Sequence, residues 1–269
     1  MKDDDDARLM AAVDRLYDTE DAAAMSNLGR SQQDVGAAGV YGEMTAPATL
    51  FRALALSEAD HFIDLGSGRG QIVLAAMLRT DGPAPESSVG VELIDTRCEV
   101  AKHAWERTGA AVRARSAVRC GDATVQDLSS VTKAFVCNTT FDGGLNSSIC
   151  RSLAPELAPK LDAVATMQPF TDASAAEASL VLTSVTAVHA TWAPSGTPLY
   201  VYSRTNGESA NAASRLGRPC VDASAVNAML AARREADRRA FEQADAASQG
   251  AAERGSMRTA LMAAALADR

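Results

Sequence analysis

A short apolar run, His61-Phe62-Ile63-Asp64-Leu65, breaks into Gly66-Ser67-Gly68-Arg69-Gly70-Gln71 and resumes as the apolar-periodic segment from Ile72. The pattern reads as a strand, a tight turn and a helix. Such a turn leaves backbone N–H groups uncovered at the start of a helix, and its glycines let a ligand approach that backbone closely. A small polar or anionic group can be held there. An acid, Asp64, sits just inside the turn, and Gln71 stands where a dinucleotide fingerprint would place its third glycine. A second short apolar strand, Val89-Gly90-Val91, ends in Glu92. It lies about 20 to 30 residues further on, where an acid can accept both hydroxyls of a ribose. Together these two stretches describe a nucleoside site at one end of a parallel sheet.

The glycine spacing favours S-adenosylmethionine over NAD. Composition is compatible with this. A chain of 269 residues, 47% of them hydrophobic and only 4% aromatic, suits one α/β domain with added helices. The five cysteines are scattered and never form a C-x-x-C pair, so they indicate neither a disulfide framework nor a zinc site, and a reducing compartment fits. No two of the three histidines have the spacing that would place two metal ligands on one helix face, and no metal is expected. No segment approaches the ~18 uninterrupted apolar residues of a membrane span, and the N-terminus lacks a signal-like apolar stretch. The expectation is a soluble, unsecreted protein without membrane contact. A net charge of −8 disfavours free nucleic acid as the main partner; it suits a basic protein substrate, and equally ordinary solubility.

Along the chain, Ala7 to Met25 has helical apolar spacing behind an Asp run, and 26–40 is polar and aperiodic. Ala46 to Leu56 is helical with Pro47 in its first turn. After the glycine turn, helices (71–78, 96–107, 146–157) alternate with strands (88–93, 117–120, 133–138, 163–167), which implies a mostly parallel sheet with helices on both faces. Leu180 to Trp192 and Leu199 to Ser203 read as an antiparallel hairpin connected through Ala193-Pro194-Ser195-Gly196. From Asn206 onward Ala and Arg dominate and two further helices are expected. Arg233, Arg234, Arg238 and Arg239 cluster there, diluted by Glu235, Asp237 and Glu242, which leaves at most a weak DNA contact. The expected organisation is an N-terminal helix and loop (1–39), a catalytic domain (40–205) and a helical appendage (206–269).

From Val40 to about Thr205 the chain resembles the non-SET histone H3 lysine-79 methyltransferases, the disruptor-of-telomeric-silencing family. Val40-Tyr41-Gly42-Glu43 is similar to the loop that precedes the first strand in that family and closes on the methionine part of the cofactor. Phe62 to Gln71 is similar to its glycine motif, including the Gly-Gln ending. Gly90-Val91-Glu92 matches its ribose-binding acid and Gly121-Asp122 its adenine-amine contact, while Phe135 to Phe141 matches its Phe-Val-Asn-Asn-Phe-x-Phe strand end in part. Gln168-Pro169-Phe170 and Ala190-Thr191-Trp192 resemble its later Lys-Pro-Phe and Val-Ser-Trp stretches. Cys137 stands in place of the first Asn of the pair, Ala123 in place of a Phe that packs on adenine, and Met44 where Thr is common.

The resemblance implies a Rossmann-like class I methyltransferase fold with a mostly parallel seven-stranded sheet. It also implies S-adenosylmethionine as cofactor, histone H3 in nucleosomes as substrate and the nucleus as location. The residues it assigns to the cofactor are Tyr41, Gly42, Glu43, Met44, Phe62, Asp64, Gly66, Ser67, Gly68, Gly70, Gln71, Glu92, Asp122 and Ala123. Asn138 and Tyr41 are expected at the reacting methyl group, and Phe141, Phe170, Trp192 and Tyr202 as walls of a channel for the acceptor lysine. The transfer would run in line from sulfur to nitrogen, so alignment and supply of a neutral amine are the protein's tasks. A lysine of ordinary pKa about 10.4 loses its proton more readily in an apolar channel, and no dedicated base is required. Two other readings remain: a class I methyltransferase with a different protein or small-molecule acceptor, and a catalytically idle cofactor-binding module, the latter suggested by Cys137.

Overall fold

The computed structural model describes residues 2–17 and 43–205. Tyr41, Gly42 and the appendage from 206 onward lie outside them. By its contacts the chain divides into two compact units, Met1–Cys220 and Val221–Arg269, whereas composition places the change of character at 206. The second unit is wholly outside the described residues.

The described part of the first unit is a seven-stranded sheet in the order β3-β2-β1-β4-β5-β7-β6. Its strands are β1 (His61–Leu65), β2 (Ser87–Glu92), β3 (Ser116–Cys120), β4 (Lys133–Val136), β5 (Ala163–Thr166), β6 (Leu180–Ala190) and β7 (Ala193–Arg204). The first five pair in parallel, and β7 is antiparallel to both β5 and β6. This is the class I methyltransferase arrangement. The helices are α1 (Lys2–Asp14), α2 (Pro47–Ala53), α3 (Gln71–Leu78), α4 (Asp95–Glu106), α5 (Ala110–Arg113), α6 (Gly143–Ser152) and α7 (Asp172–Glu177). β1, β4 and β5 are short strands buried almost throughout, which is why they read as mostly apolar runs.

The core lies between this sheet and helices α1 to α3. Phe51 of α2 meets Phe62 of β1 edge to face, with ring centroids 6.0 Å apart. Helix α3 is buried from Gln71 to Met77, as expected of a central crossover helix with almost no polar face.

Several elements differ from expectation. Helix α1 begins at Lys2, so the Asp run lies inside its first turns, where negative charge complements the helix dipole. Asp6 turns inward and accepts the Ala48 and Thr49 backbone N–H groups at 2.6 and 3.4 Å, capping α2 from 42 residues away. The β6–β7 hairpin turns at Thr191–Trp192, and Ala193 to Gly196, expected as the connection, belongs to β7. Its tip is fastened to the segment before α2: Thr191 N–H donates to Glu43 O at 2.8 Å, Glu43 N–H to Thr191 Oγ1 at 3.0 Å, and Thr45 N–H to His189 O at 3.0 Å.

A further correction concerns the cysteines. Cys98 of α4 and Cys120 at the end of β3 form a disulfide with a Cα–Cα distance of 5.6 Å. Their separation of 22 residues hides the pairing in the sequence, because the intervening chain runs out along α4 and back along the neighbouring strand. Among the described residues, no helix is long and apolar enough to cross a membrane, and no group of three or more His, Cys, Asp or Glu is placed to hold a metal ion.

Candidate cofactor site

The carboxyl ends of β1, β2 and β4 open into one cleft. Its floor is the turn from Gly66 to Gly70. Gly66 has φ of +88°, and a Cβ there would stand 3.1 Å from the ring of Phe141, which lies over the turn. At the neighbouring strand, a Cβ on Gly90 would stand 2.7 Å from Ser67 Oγ and 2.8 Å from Val73 Cγ2. Only glycine lets β2 and the turn approach this closely.

Glu92 is 5% exposed and is aimed by backbone. Gly68 N–H donates to its Oε2 at 2.8 Å and Ile94 N–H to its Oε1 at 2.9 Å. Each oxygen keeps lone pairs for a ligand, so the acid is oriented before anything binds. Asp64, across the cleft, is 2% exposed, and its Oδ1 has no hydrogen-bond partner. Burial and the charge of Glu92 push its pKa up to about 8. Ser67 Oγ is a second buried polar atom without a partner. A buried, unpaired carboxyl of this kind fits a ligand that carries a cation or hydrogen-bond donor at that point. The residues present therefore fit the methionine-bearing nucleoside that the sequence indicates.

At one end the cleft is bounded by Leu93, Ile94, Arg97, Asp122 and Ala123. Asp122 caps the short 3₁₀ turn Ala123–Val125 by accepting the Thr124 N–H at 2.7 Å. At the other end stand Glu43, Met44, Phe135, Cys137 and Phe141, with Leu145 and Ile149 of α6 behind them.

The structure thus brings together Glu43, Met44, Asp64, Gly66, Ser67, Gly68, Gln71, Glu92, Asp122, Ala123 and Phe141 of the residues expected from sequence. Phe62 and Gly70 do not line the cleft: the first is a core ring, and the second is the N-cap of α3, packed toward Ala101. Tyr41 and Gly42 fall outside the described residues.

Two groups of expectations are corrected by strand geometry. Asn138 does not reach the cleft. Side chains alternate along a strand, and Phe135, the register partner of Asp64, shares the cleft face with Cys137, which sends Asn138 the other way. Asn138 is fully buried and all its amide capacity is engaged. Oδ1 accepts Met167 N–H at 2.9 Å and Gln168 N–H at 2.8 Å, while Nδ2 donates to Asn146 Oδ1 at 2.8 Å and Gln168 O at 3.0 Å. It binds the end of β4 to the end of β5 and to α6. Cys137 occupies the cleft instead, its thiol pushed up to about 12 by burial and the neighbouring Asp64.

Of the four aromatics expected in a channel, only Phe141 lines the cleft. Phe170 and Tyr202 form a buried pair with centroids 5.4 Å apart, and Phe170 N–H donates to the Tyr202 hydroxyl at 3.0 Å. Trp192 is on the hairpin tip, 39% exposed.

Sequence reasoning missed Phe135, Cys137, Thr139, Ile94 and Arg97. The period of two along β4 was the available signal for the first two; for Ile94 and Arg97 it was the start of α4 directly after the ribose acid.

The sequence profile of the histone methylation protein DOT1 matches residues 25–159, half of the chain. No curated protein sequence matches. Among solved structures, the tRNA m1A22 methyltransferase TrmK of B. subtilis is 15% identical over 62% of this chain and 68% of its own, with a TM-score of 0.48. An RNA methyltransferase from Salinibacter ruber with S-adenosyl-L-homocysteine is 21% identical over 60% and 90% of the two chains, with a TM-score of 0.43. Geranyl diphosphate C-methyltransferase from Streptomyces coelicolor A3(2) is 13% identical over 59% and 78%, with a TM-score of 0.46. These resemblances carry no argument about the substrate. The profile match does show the family: the chain belongs to the DOT1 histone methylation proteins, on the fold of the S-adenosylmethionine-dependent class I methyltransferases.

Proposed function

We propose that the protein binds S-adenosylmethionine in this cleft and methylates a lysine of a histone, with lysine 79 of histone H3 in nucleosomes as the acceptor. The observation that carries the reading is the pair of acids on opposite sides of the glycine turn. Glu92 is held by two backbone N–H groups with its ligand-facing lone pairs open, and Asp64 is buried without a partner. Glu92 would take the ribose hydroxyls and Asp122 the adenine amine. Asp64 and Glu43 would face the α-ammonium of the methionine part, whose charge stabilises the ionised form of a buried carboxyl.

When bound, the cofactor supplies an electrophilic methyl group on sulfur. The chain's own contribution is an apolar wall at one end of the cleft, made by Met44, Phe135, Phe141, Leu145 and Ile149. An amine entering there is favoured in its neutral, nucleophilic form. Cys137, protonated across the working range, adds bulk and a weak donor rather than a base. Asn138 acts as a positioning residue by fixing the 138–141 turn, whose Phe141 covers Gly66.

The family reading carries with it a nuclear location and an engagement with nucleosomes; the C-terminal arginines, diluted by acids, would add at most a weak DNA contact. A second reading, a different protein or small-molecule acceptor, draws support from the placement of Phe170, Tyr202 and Trp192 away from the cleft. Methyl transfer measured on nucleosomes, free histones and a panel of small amines separates the two. Transfer confined to nucleosomal H3 is expected. Transfer only to small amines supports the second reading, and no transfer to any acceptor despite cofactor binding supports an idle module.

A further inference from the structure

Arg69 occupies the one position of the Gly-Ser-Gly-Arg-Gly-Gln turn whose side chain is long and charged, and it does not line the cleft. Its guanidinium instead grips Glu43, which does. Nη2 donates to Glu43 Oε2 at 2.7 Å and Nε pairs with Glu43 Oε1. The two side chains are 14% and 16% exposed, so this forked pair lies largely out of water.

The same arginine is held from the far side by the end of α1. The ring of Tyr17 lies under the guanidinium at 4.3 Å from its centroid, and the Tyr17 hydroxyl donates to Arg69 O at 2.7 Å. Asp14 Oδ1 is 3.6 Å from Arg69 Nη2 and accepts from Gln71 Nε2 at 3.1 Å. Arg107 Nη1 donates to Leu16 O at 2.9 Å. The end of α1 and the turn that follows it are thereby latched onto the glycine turn, and Arg69 is the joint between them.

We propose that Arg69 is a positioning residue that presents the Glu43 carboxylate to the amino-acid end of the cofactor, and that the end of α1 and the turn after it, through Asp14 and Tyr17, hold Arg69 in place to do so. The proposal rests on the cofactor reading above. Both Glu43 oxygens are engaged by one planar fork, so the carboxylate is fixed in direction while each oxygen keeps a lone pair for a ligand donor. A ligand ammonium then meets an acid whose rotamer freedom has already been lost, and binding does not have to supply that ordering.

The test compares two ligands by titration calorimetry: S-adenosylmethionine, and 5′-methylthioadenosine, which has the same nucleoside and no amino-acid end. Arg69→Met should weaken S-adenosylmethionine binding by about tenfold, the scale of one partly buried charge contact, and leave methylthioadenosine within about twofold. Tyr17→Leu should show the same selectivity with a smaller factor. Combining Arg69→Met with Glu43→Gln should lose no more than Glu43→Gln alone, since the arginine acts through that acid. Equal weakening of both ligands would mean that Arg69 only supports the turn, and an unchanged S-adenosylmethionine affinity would remove any role; either overturns the proposal. A wild-type protein that binds neither ligand would overturn the cofactor reading itself, and this proposal with it.

Discussion

Replacing Asp64 with Asn tests the electrostatics of the cleft without any acceptor substrate. The carboxyl moves from an ordinary pKa of 3.8 to about 8 on folding, because burial and Glu92 disfavour its charge. Between those pH values the folded protein keeps a proton that the unfolded chain has released. Stability is therefore fully present below pH ~4 and declines toward pH 8, at about 1.4 kcal/mol per pH unit. From pH 5 to pH 8 the fall is at most roughly 4 kcal/mol, and the opening of the cleft to water makes the true value smaller. Asn has nearly the same shape and no charge to bury. Urea unfolding of both proteins without ligand at pH 5, 6.5 and 8 should show the Asp64→Asn advantage growing steadily with pH by ~2–4 kcal/mol in all. A cofactor whose ammonium sits opposite Asp64 should, in addition, displace its proton. Wild-type binding near pH 7 should then release a proton that Asp64→Asn does not, seen as a dependence of binding heat on buffer ionisation. A stability difference that is flat across pH would refute the assignment of a buried, proton-holding Asp64.

Other expectations follow from single residues. Glu92→Ala should cost the wild-type protein about 1.5–3 kcal/mol of S-adenosylmethionine affinity, the range of a charge-assisted hydrogen bond; unchanged affinity in calorimetry would remove Glu92 from the ribose. Asn138→Ala strips partners from Met167 N–H, Gln168 N–H and Asn146. It should lower unfolding free energy by about 2–4 kcal/mol, so an unchanged melting temperature would contradict the buried network. Cys98→Ser opens a loop with a separation of 22 residues. It should lower stability by ~3 kcal/mol, and reductant should do the same to the wild type and nothing to the variant; a wild type indifferent to reductant would argue against the disulfide.

The positions of β1 to β5 were legible because each is a short apolar run between turn signals, and the mostly parallel sheet follows from their alternation with helices. Asp64, the glycine turn and Glu92 were legible because local chain chemistry alone places them at strand ends. The contents of the far wall were not. On β4 a shift of one residue exchanges Cys137 for Asn138, and nothing local to the segment announces which faces the cleft. Phe170 and Tyr202 looked like channel walls by type, yet their depth beside α6 and α7 depends on how β7 inserts between β5 and β6. Tertiary contacts over long sequence distances, such as Arg69 with Tyr17 or Cys98 with Cys120, leave no periodic trace.

The cap that Asp6 places on α2 links two distant parts of the chain in time as well as in space. Helix α2 has 7 residues, too few to persist by itself, so the amide hydrogens of Ala48 and Thr49 stay shielded from exchange only while α1 is seated. The opposite end of α1, with the turn that follows it, is latched to the glycine turn through Asp14 and Tyr17. Deuterium uptake at those two amides should therefore slow when the cleft fills, so that a pair of backbone protons at the start of α2 reports on occupancy of the nucleoside site.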